Sequence, residues 1–354
     1  MRSILLIRLR RKMNLDPHNI LVIDFGQLGD VVLSLPALSA VRARFPRARV
    51  TVAVGRPGVA VVELAGVADR VLGVDRVALR DGPKPLSIFR IARLVKEVRR
   101  SGFDFVIDLH SLSETNLLGY LSKAPQRLYA RRPGRSLDWL SNFRPRPPIE
   151  DVTKHATDRY LDVLTPLGIG EVSRVPRLRP REDDDRAVEE MLRKERAGHD
   201  ASLVGLFPGA GHPSRRWPLE NFIELARRLD ANDGVRIVLF AGPEERALVR
   251  ERRAEFPRST ILFDRLTVPQ LASALARLAL FVSNDTGPMH VAAAVGTPVV
   301  ILMQHHPMFG CYVPRGDRHR VVHAPSIEQI TPEEVYGVAR SVFTAERATS
   351  LFSR

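Results

Sequence analysis

Short, nearly unbroken apolar runs at residues 20–23, 50–54 and 103–109 alternate with longer segments at 31–44, 59–64 and 87–100, in which apolar residues recur every three or four positions. The first pattern is that of strands buried on both faces, and the second that of helices packed along one side. An arginine- and proline-rich passage at 125–148 interrupts the rhythm, a helix is expected at 157–167, and Gly168 and Gly170 stop it. Pro176, Pro180 and the acidic run 182–185 mark a linker or a helix entry at about 170–185. The alternation then resumes, with strands expected at 203–207, 235–240, 278–282 and 299–303 and helices near 219–230, 243–254, 268–276, 288–295 and 332–343. Such alternation predicts an α/β protein with parallel sheets covered by helices on both faces. Two blocks of it predict two Rossmann-like, doubly wound domains across a central cleft, with ligand sites at the carboxyl ends of the strands. The expected boundaries are a basic extension at 1–19, a first domain at 20–170, a second at 171–345 and a tail at 346–354.

The chemistry-bearing residues fall where strands are expected to hand over to helices. The most informative stretch runs from Val282 to Ala294, where an apolar strand turns through Asp285, Thr286 and Gly287 into a small-residue helix. The first N–H groups of such a helix lack internal partners and carry the positive end of its dipole, so the turn suits a phosphate. His290 lies one turn past Thr286 and can face the same ligand. Taken singly, Asp285 or Thr286 is equally well a helix cap and His290 a packing residue.

Four other turns share this design. At 25–31, Gly26 and Gly29 permit close approach of backbone to a ligand, and Asp30 falls at a helix start, as a cap or as a carboxylate able to accept a hydroxyl proton. At 207–218, Gly209, Ala210 and Gly211 follow a strand and can cradle phosphate, with Arg215 or Arg216 to neutralise it. The third glycine of a dinucleotide fingerprint is replaced there by Ser214, and no Walker A loop occurs. Glu244 and Glu245 end the next strand, as an acidic turn or a plain helix start. Asp108 and His110 end the strand expected at 103–109.

The string at 285–294 resembles the D-T-G-x-x-H-x-x-A-A signature of glycosyltransferase family 9, the ADP-heptose:lipopolysaccharide heptosyltransferases, whose loop holds the nucleoside diphosphate of the donor sugar. Residues 208–218 are similar to the family's P-G-A-x-x-x-x-K-x-W-P segment, with Arg215 in place of the phosphate-binding lysine. Gly29-Asp30-Val31, followed by Pro36-Ala37, resembles its N-terminal G-D-V motif, in which the aspartate is the proposed base. The resemblance covers roughly residues 20–345. It implies a GT-B fold and inverting, metal-independent transfer of a sugar, a heptose foremost, from a nucleotide-sugar to a lipopolysaccharide-core or other envelope glycan. In that scheme Asp30 is the base. Gly209, Ala210, Gly211, Arg215, Glu244, Glu245, Asp285, Thr286, Gly287 and His290 bind the donor, and Gly29, Asp108 and His110 lie on the acceptor side. No cofactor is implied. Asp24 stands where many members have arginine or lysine, Gly26 where serine is usual, both on the presumed acceptor side, and Gln304-His305-His306 replaces the usual loop over the donor. The rival readings are transfer of another sugar to another acceptor, and a non-catalytic nucleotide-sugar-binding protein.

Composition adds limits. A charge of +14, from 54 Lys+Arg against 40 Asp+Glu, favours anionic partners, yet no nucleic-acid-binding signature accompanies it, so nucleic acid is not an expected partner. A single cysteine, Cys311, precludes an internal disulfide or a thiolate metal cluster and fits a reducing compartment. The first residues are too short and wrongly charged for a secretory signal and no run is long enough to span a membrane, so a cytoplasmic enzyme is expected. Arg8, Arg10, Arg11 and Lys12 make the start a disordered extension, a misassigned start site, or a segment that touches an acidic membrane surface from the cytoplasmic side.

Overall fold

Five parallel strands form a first sheet: Asn19–Asp24 (β1), Arg49–Gly55 (β2), Arg70–Val74 (β3), Phe105–Asp108 (β4) and Gln126–Tyr129 (β5), ordered β3-β2-β1-β4-β5. Six form a second: Leu203–Phe207 (β6), Arg236–Phe240 (β7), Ile261–Phe263 (β8), Leu280–Asn284 (β9), Val299–Gln304 (β10) and Arg320–Ala324 (β11), ordered β11-β10-β9-β6-β7-β8. This computed structural model describes residues 15–75, 84–195 and 202–352; the basic start at 1–14 lies outside them. Residues 346–352, expected as a tail, continue the helix Pro332–Phe352, which packs on the second sheet and on the helix Leu219–Asp233.

In each sheet the strand order reverses beside the first strand, between β1 and β4 and between β6 and β9. A crevice opens at such a switch point because successive crossovers leave it on opposite faces. The loops and helix starts that follow β1, β4, β6 and β9 carry Asp30, His110, Arg215 and Thr286. Central strands are apolar throughout because both faces are covered: Ile20, Leu21, Val22 and Ile23 are all fully buried.

The helix Leu28–Arg44 starts three residues before the expected 31 and is buried on almost every side from Val31 to Val41. It packs on the helices Val59–Ala65 and Ala156–Val163 of its own half and on Gly287–Ala294 of the other. Thr157 Oγ1 ties Ala156–Val163 to it by donating to the Leu33 carbonyl at 3.0 Å. Being enclosed between two domains, this helix needs no polar face, which is why its apolar residues outrun a simple helical stripe.

Candidate active site

The two halves meet helix start to helix start. A Cβ added at Gly29 would fall 2.7 Å from His290 Cδ2 and 3.7 Å from the Gly287 Cα, and one at Gly287 would fall 3.0 Å from Leu28 Cδ2. Glycine at both positions therefore lets the loop after β1 touch the loop after β9. Asp30 follows one of these glycines and Thr286 precedes the other, so the helix start that carries Asp30 abuts the open helix start after Thr286.

On the first side, Asp30 Oδ2 accepts from the Gln27 N–H at 2.9 Å, the contact of a cap. Burial raises its pKa above the usual carboxylate value, against the Gln27 N–H, and the charge of Asp24 adds to the rise. Asp24 is fully buried, so it does not face the cleft as its sequence position suggested; it lies behind the loop. Its Oδ1 accepts from Gly26 N at 3.0 Å and stands 3.6 Å from His110 Nδ1. Burial pushes the Asp24 pKa up, but His110, Ser34 and the Gly26 N–H together outweigh it and hold the pKa below the usual carboxylate value. No side chain fits at Gly26, where a Cβ would be 2.5 Å from Asp30 Cβ and 3.1 Å from Asp24 Oδ1. Asp108 is also fully buried: its Oδ1 accepts from Ser111 N at 2.7 Å and its Oδ2 from Asn116 Nδ2 at 2.8 Å, which makes it a loop organiser rather than a cleft residue.

Sequence reasoning missed several neighbours. Arg132 donates to the His110 carbonyl at 2.5 Å and pairs with Glu150 at 3.0 Å, while Arg159 reaches Glu150 at 3.5 Å and lies 5.1 Å over the Tyr312 ring. Tyr160 is buried close enough to Asp24 and Asp30 for both charges to push its pKa up, beyond the rise that burial imposes. Arg132 and Glu150 lie between the strand expected at 103–109 and the helix expected at 157–167, and Arg159 and Tyr160 lie within that helix; no motif singles any of them out.

On the second side, the loop at 208–217 is clamped by Asn284, another residue the sequence did not single out. Its Nδ2 donates to the Pro208 carbonyl at 2.8 Å and to that of Gly209 at 3.3 Å, and its Oδ1 accepts from Trp217 N at 3.1 Å. Trp217 is buried and donates its indole N–H to the Ile330 carbonyl at 2.8 Å. The Glu245 carboxylate is tucked beneath the loop, so that a Cβ at Gly209 would fall 2.5 Å from its Oε1 and one at Gly242 2.9 Å from its Oε2. Burial raises the Glu245 pKa. Glu244 points outward and pairs with Arg216 at 2.9 Å; Arg216 also donates to the Ala210 carbonyl at 3.0 Å. Gly211 stands in open space.

Arg215 reaches across to Asp285 at 3.2 Å with more than half its side chain exposed. Burial raises the Asp285 pKa and Arg215 partly offsets it. Thr286 has extended backbone at the cap position of the helix Gly287–Ala294, but its hydroxyl makes no cap hydrogen bond, leaving the first N–H groups to other partners. His290 packs at the seam rather than in the open cleft: it is 6% exposed, and burial holds its pKa down at about 3, so the ring is neutral. Thus Gly29, Asp30, Thr286, Gly287 and His290 come together. Arg215 joins them through Asp285, while Asp108 and Glu245 support loops from beneath. Among the described residues no group of three or more His, Cys, Asp or Glu side chains could hold a metal ion.

The arrangement can therefore present a carboxylate on one side of a cleft and, on the other, the Arg215 cation beside an open helix start in which Pro288 lacks an N–H. The family model Glycosyltransferase family 9 (heptosyltransferase) matches residues 91–334. The chain is 25% identical over 282 residues to lipopolysaccharide heptosyltransferase 3 of Escherichia coli, covering 77% of this chain and 80% of that protein. The glycosyl transferase family 9 structure from Veillonella parvula aligns with a TM-score of 0.83 at 25% identity, over 94% of this chain and 99% of that one. The structure of E. coli ADP-heptose lps heptosyltransferase II aligns at 0.76 with 20% identity, over 93% and 99%, a likeness of fold. Two parallel Rossmann-like sheets facing at their switch points are the GT-B fold. With the family model spanning well over half of its length, this chain belongs to glycosyltransferase family 9 and is a glycosyltransferase.

Proposed function

We propose that the protein transfers a heptose from ADP-heptose to a hydroxyl of a lipopolysaccharide-core glycan, with inversion at the anomeric carbon. The observation that carries this reading is the seam itself: Gly29 against His290 and Gly287 sets Asp30 beside the open helix start at Thr286 and Gly287. The names of the relatives supply the sugar and the acceptor class.

In this mechanism the acceptor hydroxyl gives its proton to Asp30 as its oxygen attacks the anomeric carbon from the face opposite the nucleotide. A carboxyl whose pKa is raised by burial is a better proton acceptor than an exposed one, once ionised. The bond from the anomeric carbon to the diphosphate breaks, and the charge that develops on the departing phosphate is met by Arg215 and by the N–H groups at the start of Gly287–Ala294. Arg215 is held ready by Asp285, and the loop at 208–217 is fixed by Asn284 from above and Glu245 from beneath. His110, oriented by buried Asp24, lines the acceptor side together with Arg132.

Binding is tested by a panel of nucleoside diphosphates and nucleotide-sugars in thermal melts. ADP and ADP-heptose raise the melting temperature, and Arg215→Ala reduces the gain because one phosphate partner is lost. Equal shifts for wild type and Arg215→Ala with every nucleotide remove Arg215 from the donor site. A shift from a different base or sugar alone reassigns the donor.

A further inference from the structure

The helix Lys84–Arg100 is built unlike the other helices of the first half. Val98 is buried and Leu94 and Val95 are half-buried against the sheet, which accounts for one face. Yet Leu86, Ile88, Phe89 and Ile91 are left 43%, 67%, 65% and 46% exposed. Phe89 begins a stripe continued by Arg93, Lys96 and Arg100 at intervals of four, three and four residues, one line along the solvent side of a helix. None of these three cations has an acidic partner among the described residues, and the helix's one acid, Glu97, is engaged by Arg70 at 2.5 Å. Apolar residues beside unpaired cations on one helix face match an interface between hydrocarbon and anionic headgroups. Scattered surface hydrophobics need no explanation, but a run of them at one helix end does.

The position of the patch reinforces this. The helix is the crossover between parallel strands β3 and β4, so its start lies at the carboxyl ends of the strands, the side on which Asp30 and His110 stand. The helix Ser113–Leu121 packs beside it and exposes Leu117 and Tyr120, and the turn Asp138–Leu140 packs on that helix and exposes Trp139 by 68%.

We propose that the exposed face of Lys84–Arg100, led by Ile88 and Phe89 and backed by Arg93 and Lys96, docks the enzyme on an anionic phospholipid bilayer. Charge complementarity selects this occupant: the stripe carries cations only, whereas a second copy would oppose like charge to like. Docking there turns the acceptor side of the cleft toward the lipid surface. The inference deepens the proposed function by naming where a lipid-borne acceptor is met, and it rests on that reading for its purpose.

The test is co-sedimentation of the full-length protein with vesicles containing phosphatidylglycerol and with vesicles of phosphatidylcholine alone, read beside light scattering without lipid. The wild type partitions onto the anionic vesicles. Ile88→Ser/Phe89→Ser and Arg93→Glu/Lys96→Glu each weaken partitioning by about 10-fold or more. Arg193→Glu/Lys194→Glu on the helix Glu182–Lys194 of the other half leaves it unchanged, which separates the patch from the general +14 charge. Circular dichroism and the ADP-dependent melting shift confirm that the variants fold. Absence of wild-type binding, or binding unaltered by both patch variants, overturns the proposal. So does a lipid-free dimer that the patch variants dissolve. Because the vesicle readout needs no donor, loss of the ADP shift with lipid binding intact would count against the proposed function and not against this surface.

Discussion

Three carboxyl groups around the first crevice are held in different states by what surrounds them. Despite full burial, Asp24 is held below the usual carboxylate value by His110, Ser34 and the Gly26 N–H together, Asp30 is raised by burial, and Asp108 is raised by burial to about 6 against the hydrogen bonds it accepts. A carboxyl whose folded pKa exceeds its unfolded value binds its proton more tightly in the native state. Its contribution is therefore complete below the unfolded value near 3.8 and is lost as pH rises through about 6. By that linkage Asp108 withdraws up to roughly 3 kcal/mol between pH 4 and pH 7. Asn at this position does not titrate, so the melting temperature of Asp108→Asn should improve relative to wild type as pH is raised from 5 to 8. A difference constant with pH would mean that Asp108 is ionised throughout. The comparison isolates Asp108 from His290, whose lowered pKa acts in the opposite sense, adding stability as pH rises through the unfolded histidine range.

At the scale of elements, the strands that sequence pattern identifies are the central ones, and the four it does not are the edges of the two sheets: β3, β5, β8 and β11. The reason is burial. A central parallel strand such as Ile20 to Ile23 is covered on both faces and reads as an apolar run, whereas β3 and β11 are mostly half-exposed or exposed and keep polar residues in their register. β8 and β5 are only Ile261–Phe263 and Gln126–Tyr129, too short to form a pattern. Helix starts were misplaced by glycine: Leu28–Arg44 begins within the Gly26–Gly29 turn because Gln27 and Asp30 cap it there. The site was legible where it depends on glycine next to a strand end, and illegible where it depends on contacts across the fold. Asn284 is such a case, since three hydrogen bonds to residues 208, 209 and 217 cannot be seen from its position in the chain. Asn284→Ala leaves the Pro208 carbonyl and the Trp217 N–H without partners, at a cost of about 1–3 kcal/mol. Chemical denaturation should show that loss together with a smaller ADP shift. An unchanged midpoint and shift would show that the loop at 208–217 is held by other contacts.

For the molecule as a whole, the two sheets place their switch points face to face, and the helix starts at Leu28 and Gly287 are among the points of contact. In the proposed mechanism the base and the phosphate site belong to different halves, so transfer should depend on both and nucleotide binding on the second. In that mechanism Arg215 and the open start of Gly287–Ala294 would supply the positive charge that the leaving diphosphate needs. Turnover should accordingly persist in excess EDTA, and a strict requirement for added Mg²⁺ or Mn²⁺ would direct attention to metal-bound diphosphate instead. The measurement that reaches the centre of this account is sugar transfer from ADP-heptose by Asp30→Asn, made on the same preparation as its melting temperature with and without ADP. Asparagine can still accept from the Gln27 N–H but cannot take a proton. The account predicts native stability, a native ADP shift and transfer reduced by about 10²-fold or more. Near-native transfer by a stable, ADP-binding Asp30→Asn would contradict it and leave Asp30 a helix cap.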